Sequence, residues 1–491
     1  MKRTSLAVLA LLILESCGSA RVSVTPNQPK QVTAASALAA LQDDLTAIFT
    51  APQFERSFWS VLIRRADANG DADQALFALN PGKLVMPGSN MKLLTLASAA
   101  EVLGWNYRFE TKVITSAPIE SGVLRGDLIV VGAGDPSISE RSDEPGALRS
   151  LARELADRGL RIVDGRVIGD DDLFDDRGFG DGWSIDNLPY GYSAPVTALE
   201  YNEGSVDLVI RAGSAAGEPV GIQVRPDGSR LEIENQLVTV AETGTGMLTL
   251  QRFPGSLHVT VQGQIPAKAP PFVRTASVDN PTDFFVRAFR SALIAEGVQV
   301  GGEAVDIDDV APKPDESGAR VLASLQSPPL AELATSMMKV SQNQYAELLL
   351  KKVGKPAARD ALRELGIADD SYIMADGSGL SRYNYVTADA LVRLLQQMRR
   401  RPAHAPAFVQ TLPIVGRDGT LARRLTGTAA EGKVRAKSGT IDNARALSGY
   451  VDTADGETLA FSMIANNFNS SPADIDAAAD KALIRLATFH R

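Results

Sequence analysis

"PGSNMKLLTLASAAEVLG", Pro87 to Gly104, reads as the start of an apolar helix with a lysine in its first turn. A cation there opposes the helix dipole by ~0.3–1 kcal/mol. The residues that follow, "LLTLASAAEVL", are apolar on nearly every side, as in a buried helix, so Lys92 has no evident polar face to escape to. Two readings stand. In one, Ser89 caps the helix and Lys92 snorkels to solvent. In the other, the ammonium lies beside the hydroxyl, because residues three apart share a helix face. Burial then lowers the lysine's pKa and makes it a base for a serine nucleophile. The free N–H groups of the helix start are available to an oxyanion. Histidine is the more usual base, but the chain has only His258, His404 and His490. None stands near a convincing partner, so a Ser-His-Asp triad is not expected.

Outward from this stretch the chain is long, at 491 residues, and two or three domains are expected. Hydrophobic content of 44% and charged content of 22% are ordinary for a soluble globular protein. The net charge of −9 comes with no long basic run, which argues against nucleic acid as a partner. "MKR" followed by "SLAVLALLIL" reads as an export leader over residues 1–20, too short to span a bilayer. In "LESCGSA", Cys17 is a candidate lipidated cysteine, although Glu15 fits that pattern poorly. Cleavage after Ala20 is the competing reading. Cys17 is the single cysteine, so no internal disulfide and no thiolate metal site are expected.

Residues 21–34 read as a polar tether. "FWSVLIRRAD" and "ALFALN" read as strands around the turn "ANGDADQ". From about Tyr107 to Asp309 the texture is mostly short strands separated by glycine turns. From about Leu325 it turns helical, and "GKVRAKSGT", "ARALSGYVDT" and "TLAFSMIANN" read as three closing strands. Ser471 then caps a last helix with Pro472 at its first position. The simplest organisation is one α/β domain, residues 34–106 and 325–491, split by a β-rich insertion over 107–324 with two subdomains.

Two further elements join Ser89 and Lys92. In "SQNQYAELLLKK", Ser341 and Asn343 stand on a bend before a strong helix, where one residue relays a proton and the other orients the lysine. Alone they read as ordinary helix caps. In "KSGT", Lys437 brings positive charge and Ser438 and Thr440 bring hydroxyls. Gly439 lets a substrate backbone approach the strand. Alone this is also a solvated strand end. Taken together, Ser-x-x-Lys, Ser-x-Asn and Lys-(Thr/Ser)-Gly in this order are the motif set of penicillin-recognising serine enzymes. Ser89 and Ser341 are 252 residues apart, and Ser341 and Lys437 are 96 apart. That first interval, with "GDLIVVGAGDPSIS", "YSAPVTALEYNEG" and "DGSGLSRYNYVT", resembles the class C low-molecular-mass penicillin-binding proteins. These are the DacB-type D-alanyl-D-alanine carboxypeptidase/endopeptidase family, and the resemblance covers nearly all of the mature chain.

The resemblance implies a β-lactamase/transpeptidase-like fold, an antiparallel sheet flanked by helices. It makes Ser89 the acylated nucleophile and Lys92 its base. Ser341 and Asn343 handle protons and the substrate amide. Lys437, Ser438, Gly439 and Thr440 bind the terminal carboxylate, and the N–H groups of Ser89 and Thr440 form the oxyanion hole. Ser438 replaces the commoner threonine and keeps the hydroxyl. Asp186, with Trp183 and Tyr192 in "GWSIDNLPYGYSAP", approximately matches a site for the amino end of the stem-peptide side chain. Substrates would be peptidoglycan stem peptides, with β-lactams as inhibitors and no metal or organic cofactor. The location would be the periplasm or cell envelope, with membrane contact only through a Cys17 lipid. The insertion is open to three roles: binding glycan, spacing the site from the membrane, or forming a homodimer. A β-lactamase, an esterase on the same fold and a non-catalytic peptidoglycan scaffold are the rival readings.

Overall fold

The computed structural model of this chain describes residues 34–68, 73–141 and 146–491. The candidate leader, the tether and Cys17 lie outside the described residues. Among those described, no helix is long and apolar enough to cross a membrane.

Strands from the two ends of the chain share one five-stranded sheet. Its order is Phe77–Leu79, Phe58–Arg65, Thr458–Asn466, Ala444–Asp452, Val434–Ile441, and every neighbouring pair is antiparallel. Side chains alternate between its two faces. Val61, Ile63, Phe461 and Met463 pack on one face with Leu41, Leu45 and Leu483 from the first and last helices, Ala34–Phe49 and Pro472–Ala487. Leu62, Ala460 and Ile464 pack on the other with the helices Met91–Leu103 and Ala388–Arg400. With helices on both sides, the inner strands Ala444–Asp452 and Thr458–Asn466 are buried along nearly their whole length. Ser471 caps the last helix with a full capping box and Pro472 behind it, as the sequence indicates. Thr387 caps Ala388–Arg400 by accepting the Ala390 N–H at 3.0 Å.

Between these halves the strands Glu110–Thr115, Leu128–Val131, Val167–Asp170, Ala304–Asp306 and Arg320–Gln326 form a second, mixed sheet. Two three-stranded sheets follow, one centred on Ser205–Arg211 and the other on His258–Pro266. The region is strand-rich, but it also carries two helices that the strand texture conceals, Ala147–Asp157 and Pro281–Ala295. They are needed because Leu128–Val131, Val167–Asp170 and Ala304–Asp306 run parallel, and parallel neighbours require crossover connections. Leu148, Leu151 and Leu155 from one helix and Phe285, Phe289 and Leu293 from the other fill the core beneath that sheet.

Candidate active site

Ser89 stands in a short 3₁₀ turn, Gly88–Asn90, that runs directly into the helix Met91–Leu103. The turn is bolted to the edge strand Val434–Ile441. Asn90 donates its side-chain N–H to the Lys437 carbonyl at 2.9 Å. Asn466 accepts the Met86 N–H at 2.7 Å and donates to the Met86 carbonyl at 3.0 Å. Two glycines make this approach feasible. Gly88 has φ +50°, and a Cβ there would lie 2.8 Å from the Thr440 nitrogen. A Cβ on Gly439 would lie 2.3 Å from the Pro87 oxygen. The Thr440 nitrogen is thereby brought close against the turn that carries Ser89.

Ser89 does not cap the helix. The capping position falls to Asn90, whose side chain makes no cap bond. The Ser89 hydroxyl instead accepts from Lys92 Nζ at 3.1 Å. Lys92 is wholly buried, so the snorkelling reading fails. Its ammonium nitrogen also donates to Asn343 Oδ1 at 2.6 Å and to the Ser378 carbonyl at 2.8 Å. Burial pulls its pKa down from 10.5 to about 7, against the carboxylates of Glu347 and Asp376, which raise it.

Those carboxylates belong to a built support. Glu347 accepts the Ser378 N–H at 2.8 Å and the Gly377 N–H at 3.1 Å. Its own pKa is pushed up to about 7, first by burial and then by Asp376. Asp376 accepts from Gly379 N at 2.8 Å, Ser381 N at 2.6 Å, Asn384 Nδ2 at 2.6 Å and Trp183 Nε1 at 2.9 Å. The loop 376–381 is thus folded around its carboxylates and offers the Ser378 carbonyl to Lys92. Gly379, at φ +89°, lies so close to the turn that a Cβ would sit 1.8 Å from the Gly88 oxygen.

Asn343 opens the helix Asn343–Val353 and bridges two regions. Its Oδ1 receives Lys92, and its Nδ2 donates to the Tyr192 carbonyl at 2.8 Å. Ser341 holds a left-handed backbone, φ +64°, unusual for a residue with a Cβ. Its hydroxyl accepts from Lys437 Nζ at 2.8 Å, and Lys437 also donates to the Ser438 carbonyl at 2.8 Å. Lys437 is wholly buried, and its pKa is held well below the ordinary range, first by burial and then by Lys92. The Ser438 hydroxyl is 2.8 Å from Thr420 Oγ1.

Ser89 and Thr440 line two clefts. The larger, about 650 Å³, also exposes Ser341, Thr420, Arg423, Arg424, Ser438 and Asp480. The smaller, about 330 Å³, is lined by Asn187, Tyr192, Asn343, Arg382, Asp442 and Arg445. The structure therefore gathers Ser89, Lys92, Ser341, Asn343, Lys437, Ser438, Gly439 and Thr440 in one place. The aromatic group divides. Tyr192 lines the smaller cleft and stacks on Tyr190 at 5.4 Å between ring centroids. Trp183 instead braces Asp376. Asp186 lies in the three-residue turn Ile185–Asn187 and lines a separate groove with Tyr190, Arg252, Phe253 and His258. Its neighbours Ser184 and Asn187 line the smaller cleft in its stead.

The carboxylate of the smaller cleft is Asp442, with Arg382 beside it at 3.5 Å. Neither was singled out from sequence. A signal existed for each: Asp442 is two residues past Thr440, and Arg382 sits inside "DGSGLSRYNYVT". The histidines keep away from Ser89: His258 pairs with Glu234, His404 with Trp105 and Glu101, and His490 with Asp455. Among the described residues one acidic trio, Asp171, Asp306 and Asp308, has the spacing to hold a metal ion. It lies in the inserted region, and its members already bond to Thr282, Asn280 and Lys313.

Comparison with known proteins adds the lineage. A family model described as the D-Ala-D-Ala carboxypeptidase 3 (S13) family matches residues 41–487. The D-alanyl-D-alanine carboxypeptidase of Actinomadura sp. (strain R39) is 36% identical over 475 residues, covering 92% of this chain and 85% of that protein. The D-alanyl-D-alanine carboxypeptidase DacB of Haemophilus influenzae is 26% identical over 418 residues, covering 82% and 85%. Among solved structures, penicillin binding protein 4 (dacB) from Haemophilus influenzae superposes with a TM-score of 0.77 at 25% identity. That match covers 91% of this chain and 99% of the other.

Proposed function

This chain belongs to the D-Ala-D-Ala carboxypeptidase 3 (S13) family, and from that premise we propose which of its groups cut the D-alanyl peptide bond. The enzyme is a serine-type peptidase acting on peptidoglycan stem peptides through an acyl-enzyme. Ser89 attacks the carbonyl of the penultimate D-alanine, and Lys92 takes the hydroxyl proton. Negative charge on the carbonyl oxygen is met by the N–H groups of Ser89 and Thr440. The C–N bond breaks, the proton passes from Lys92 to the departing amine, and water then cleaves the Ser89 ester. Ser341 and Asn343 hold the two lysines in place. Ser438 and Thr440, with Lys437 behind them, receive the substrate's terminal carboxylate. A β-lactam offers the same carbonyl and carboxylate and leaves its acyl group on Ser89.

One observation carries this reading: a wholly buried amine, its pKa lowered to about 7, stands 3.1 Å from a serine hydroxyl. An amine in that state is half deprotonated at neutral pH and needs no histidine. A β-lactamase would want a further carboxylate free to activate water. Glu347 accepts backbone N–H groups with both oxygens and is turned to the loop. The acyl portion of the substrate falls in the smaller cleft. There Asp442, with Arg382 and Arg445, complements a side chain ending in both an ammonium and a carboxylate, as diaminopimelate does. Asp442 takes the role that the sequence suggested for Asp186.

A cell-wall substrate places the enzyme outside the cytoplasmic membrane. Lipidation at Cys17, periplasmic residence, a homodimer, and domain bounds of 34–106 with 325–491 around an insertion of 107–324 belong to the same proposal. Intact mass after mixing with benzylpenicillin tests the function. A persistent one-equivalent adduct is expected on the parent and not on Ser89→Ala. Drug hydrolysed without an adduct would make the protein a lactamase. Intact drug and no adduct would promote the esterase or scaffold alternative.

A further inference from the structure

The groove that holds Asp186 measures about 610 Å³, a size that encloses organic ligands, and it shares a wall with the smaller cleft. Within one short turn Ser184 and Asn187 border the cleft, while Ile185 and Asp186 border the groove. Tyr192 on the cleft side stacks on Tyr190 on the groove side, with ring centroids 5.4 Å apart. The wall is therefore one aromatic pair thick. Two extended residues span about 7 Å, so a peptide leaving the cleft crosses it within a few residues.

The floor of the groove is one face of the sheet centred on His258–Pro266. Thr249 of the strand Met247–Gln251 pairs with Gln262, and Gln251 pairs with Thr260. Opposed residues share a face. The reverse face, with Leu250, Val259 and Val261, is packed in the core. The groove is preformed. The Tyr190 hydroxyl accepts the Leu250 N–H at 3.2 Å. The turn after Gln251 is tied down: Arg252 donates Nη2 to Ser277 Oγ at 2.7 Å, and Asp279 Oδ1 accepts the Gly255 N–H at 3.0 Å. That turn holds Phe253 at 77% exposure, and Ile185, also on the groove, is 55% exposed. Apolar surface kept in water at the lip of a groove suits a docking platform.

The polar groups of the floor are neutral and unanswered. Among the described residues the side chains of Thr249, Gln251 and Gln262 make no hydrogen bond. Each amide offers both donors and an acceptor. The basic groups are already committed, Arg252 to Ser277 and His258 to Glu234 at 3.0 Å. Paired donors and acceptors beside an exposed aromatic ring fit a neutral chain of hydroxyl and acetamido groups with apolar ring faces. An amino-sugar polymer has that chemistry.

We propose that this groove binds the glycan strand that carries the acyl-donor stem peptide. Thr249, Gln251 and Gln262 take its hydroxyl and acetamido groups, and Phe253 takes a sugar ring face. A stem peptide joins its sugar at the end remote from the scissile bond. A peptide seated in the smaller cleft thus leads its sugar across the shared wall. Of the roles open to the inserted region, this selects recognition of the glycan, while the chemistry at Ser89 is unchanged. The inference rests on the function proposed above.

The test is steady-state cleavage of a pentapeptide with and without its attached disaccharide. The enzymes are the parent, Phe253→Ser and the double variant Gln251→Ala with Gln262→Ala. The parent is expected to show about tenfold higher kcat/KM on the sugar-bearing form, mainly through KM. Both variants should lose most of that preference. Cleavage of the bare pentapeptide and benzylpenicillin acylation should stay within about twofold of the parent, as for surface changes remote from Ser89. A parent indifferent to the disaccharide would overturn the inference. So would variants that lose equally on both substrates, or a preference that survives both. A dimer in sedimentation that Phe253→Ser dissociates, with no sugar preference, would give the groove to a second copy of the chain and overturn it too. The function proposed above survives each of these results. A parent that cleaves neither substrate and takes no penicillin would remove that function, and the inference with it.

Discussion

The Lys92 pocket and the Lys437 pocket are built from the same parts and tuned to different ends. Both ammonium groups are wholly buried, and each donates to a serine hydroxyl and to a backbone carbonyl. Lys92 has a third acceptor in Asn343 and two carboxylates, Glu347 and Asp376, that pull its pKa up against burial. Among the described residues no carboxylate offsets the burial of Lys437, and Lys92 pushes its pKa down further. A buried cation without a counter-ion is costly. The difference teaches a division of labour. In the mechanism we propose, Lys92 is balanced near neutrality to exchange a proton with Ser89, and Lys437 takes its counter-ion from the substrate's own carboxylate.

The sharpest break in the comparison comes from removing each amine. Lys92→Met, like Ser89→Ala, should slow acylation by about 10⁴-fold or more, read as loss of the benzylpenicillin adduct by mass. A Lys92→Met enzyme that acylates at the parental rate would erase the distinction. Lys437→Met should cost about 10²-fold in kcat/KM on a peptide with a free terminal carboxylate. On the same peptide with an amidated terminus the penalty should largely vanish. Equal penalties on both peptides would deny Lys437 its anion-binding role.

Smaller perturbations sharpen the contrast. Gly439→Ala drives a Cβ against the Pro87 oxygen and prises the Lys437 strand from the Lys92 turn. A destabilisation of about 1–3 kcal/mol should appear as a lowered Tm, and an unchanged Tm would mean that the two motifs are not clamped together. Glu347→Gln removes an anion that favours charged Lys92. The charged form loses support, so the midpoint of the acylation pH profile should move to lower pH by about one unit. An alkaline shift would show that Glu347 does not act through Lys92.

Most of the central sheet was legible because its signals are local. "GKVRAKSGT", "ARALSGYVDT" and "TLAFSMIANN" fall, within two residues at each end, on Val434–Ile441, Ala444–Asp452 and Thr458–Asn466. The three motifs were legible because acyl transfer to a serine needs few side-chain types at fixed places. Lys92 was the strongest clue, a charge with no polar face, and it is buried as that clue implies. The helices Ala147–Asp157 and Pro281–Ala295 were lost in strand-like surroundings. Leu148, Leu151 and Leu155 recur at helical spacing, as do Phe285, Phe289 and Leu293. Asp186 shows the other limit. In a three-residue turn adjacent side chains diverge, so chain position alone did not say which of Ser184, Asp186 and Asn187 borders the cleft. Glu347 was weighed from sequence only as a water-activating carboxylate that nothing marks for that role; the support that it and Asp376 give Lys92 was not legible, because it depends on the folded loop 376–381 and has no sequence spacing.

In the proposed mechanism neutral Lys92 receives the Ser89 proton. The most direct measurement is the rate constant for acylation by benzylpenicillin from pH 5 to 9. Lys92, with its pKa lowered to about 7, is protonated and inactive below that value and free to accept a proton above it. The rate should therefore rise with pH through a midpoint near 7 and level off on the alkaline side. A profile that is flat across this range, or that falls as Lys92 loses its charge, would contradict it.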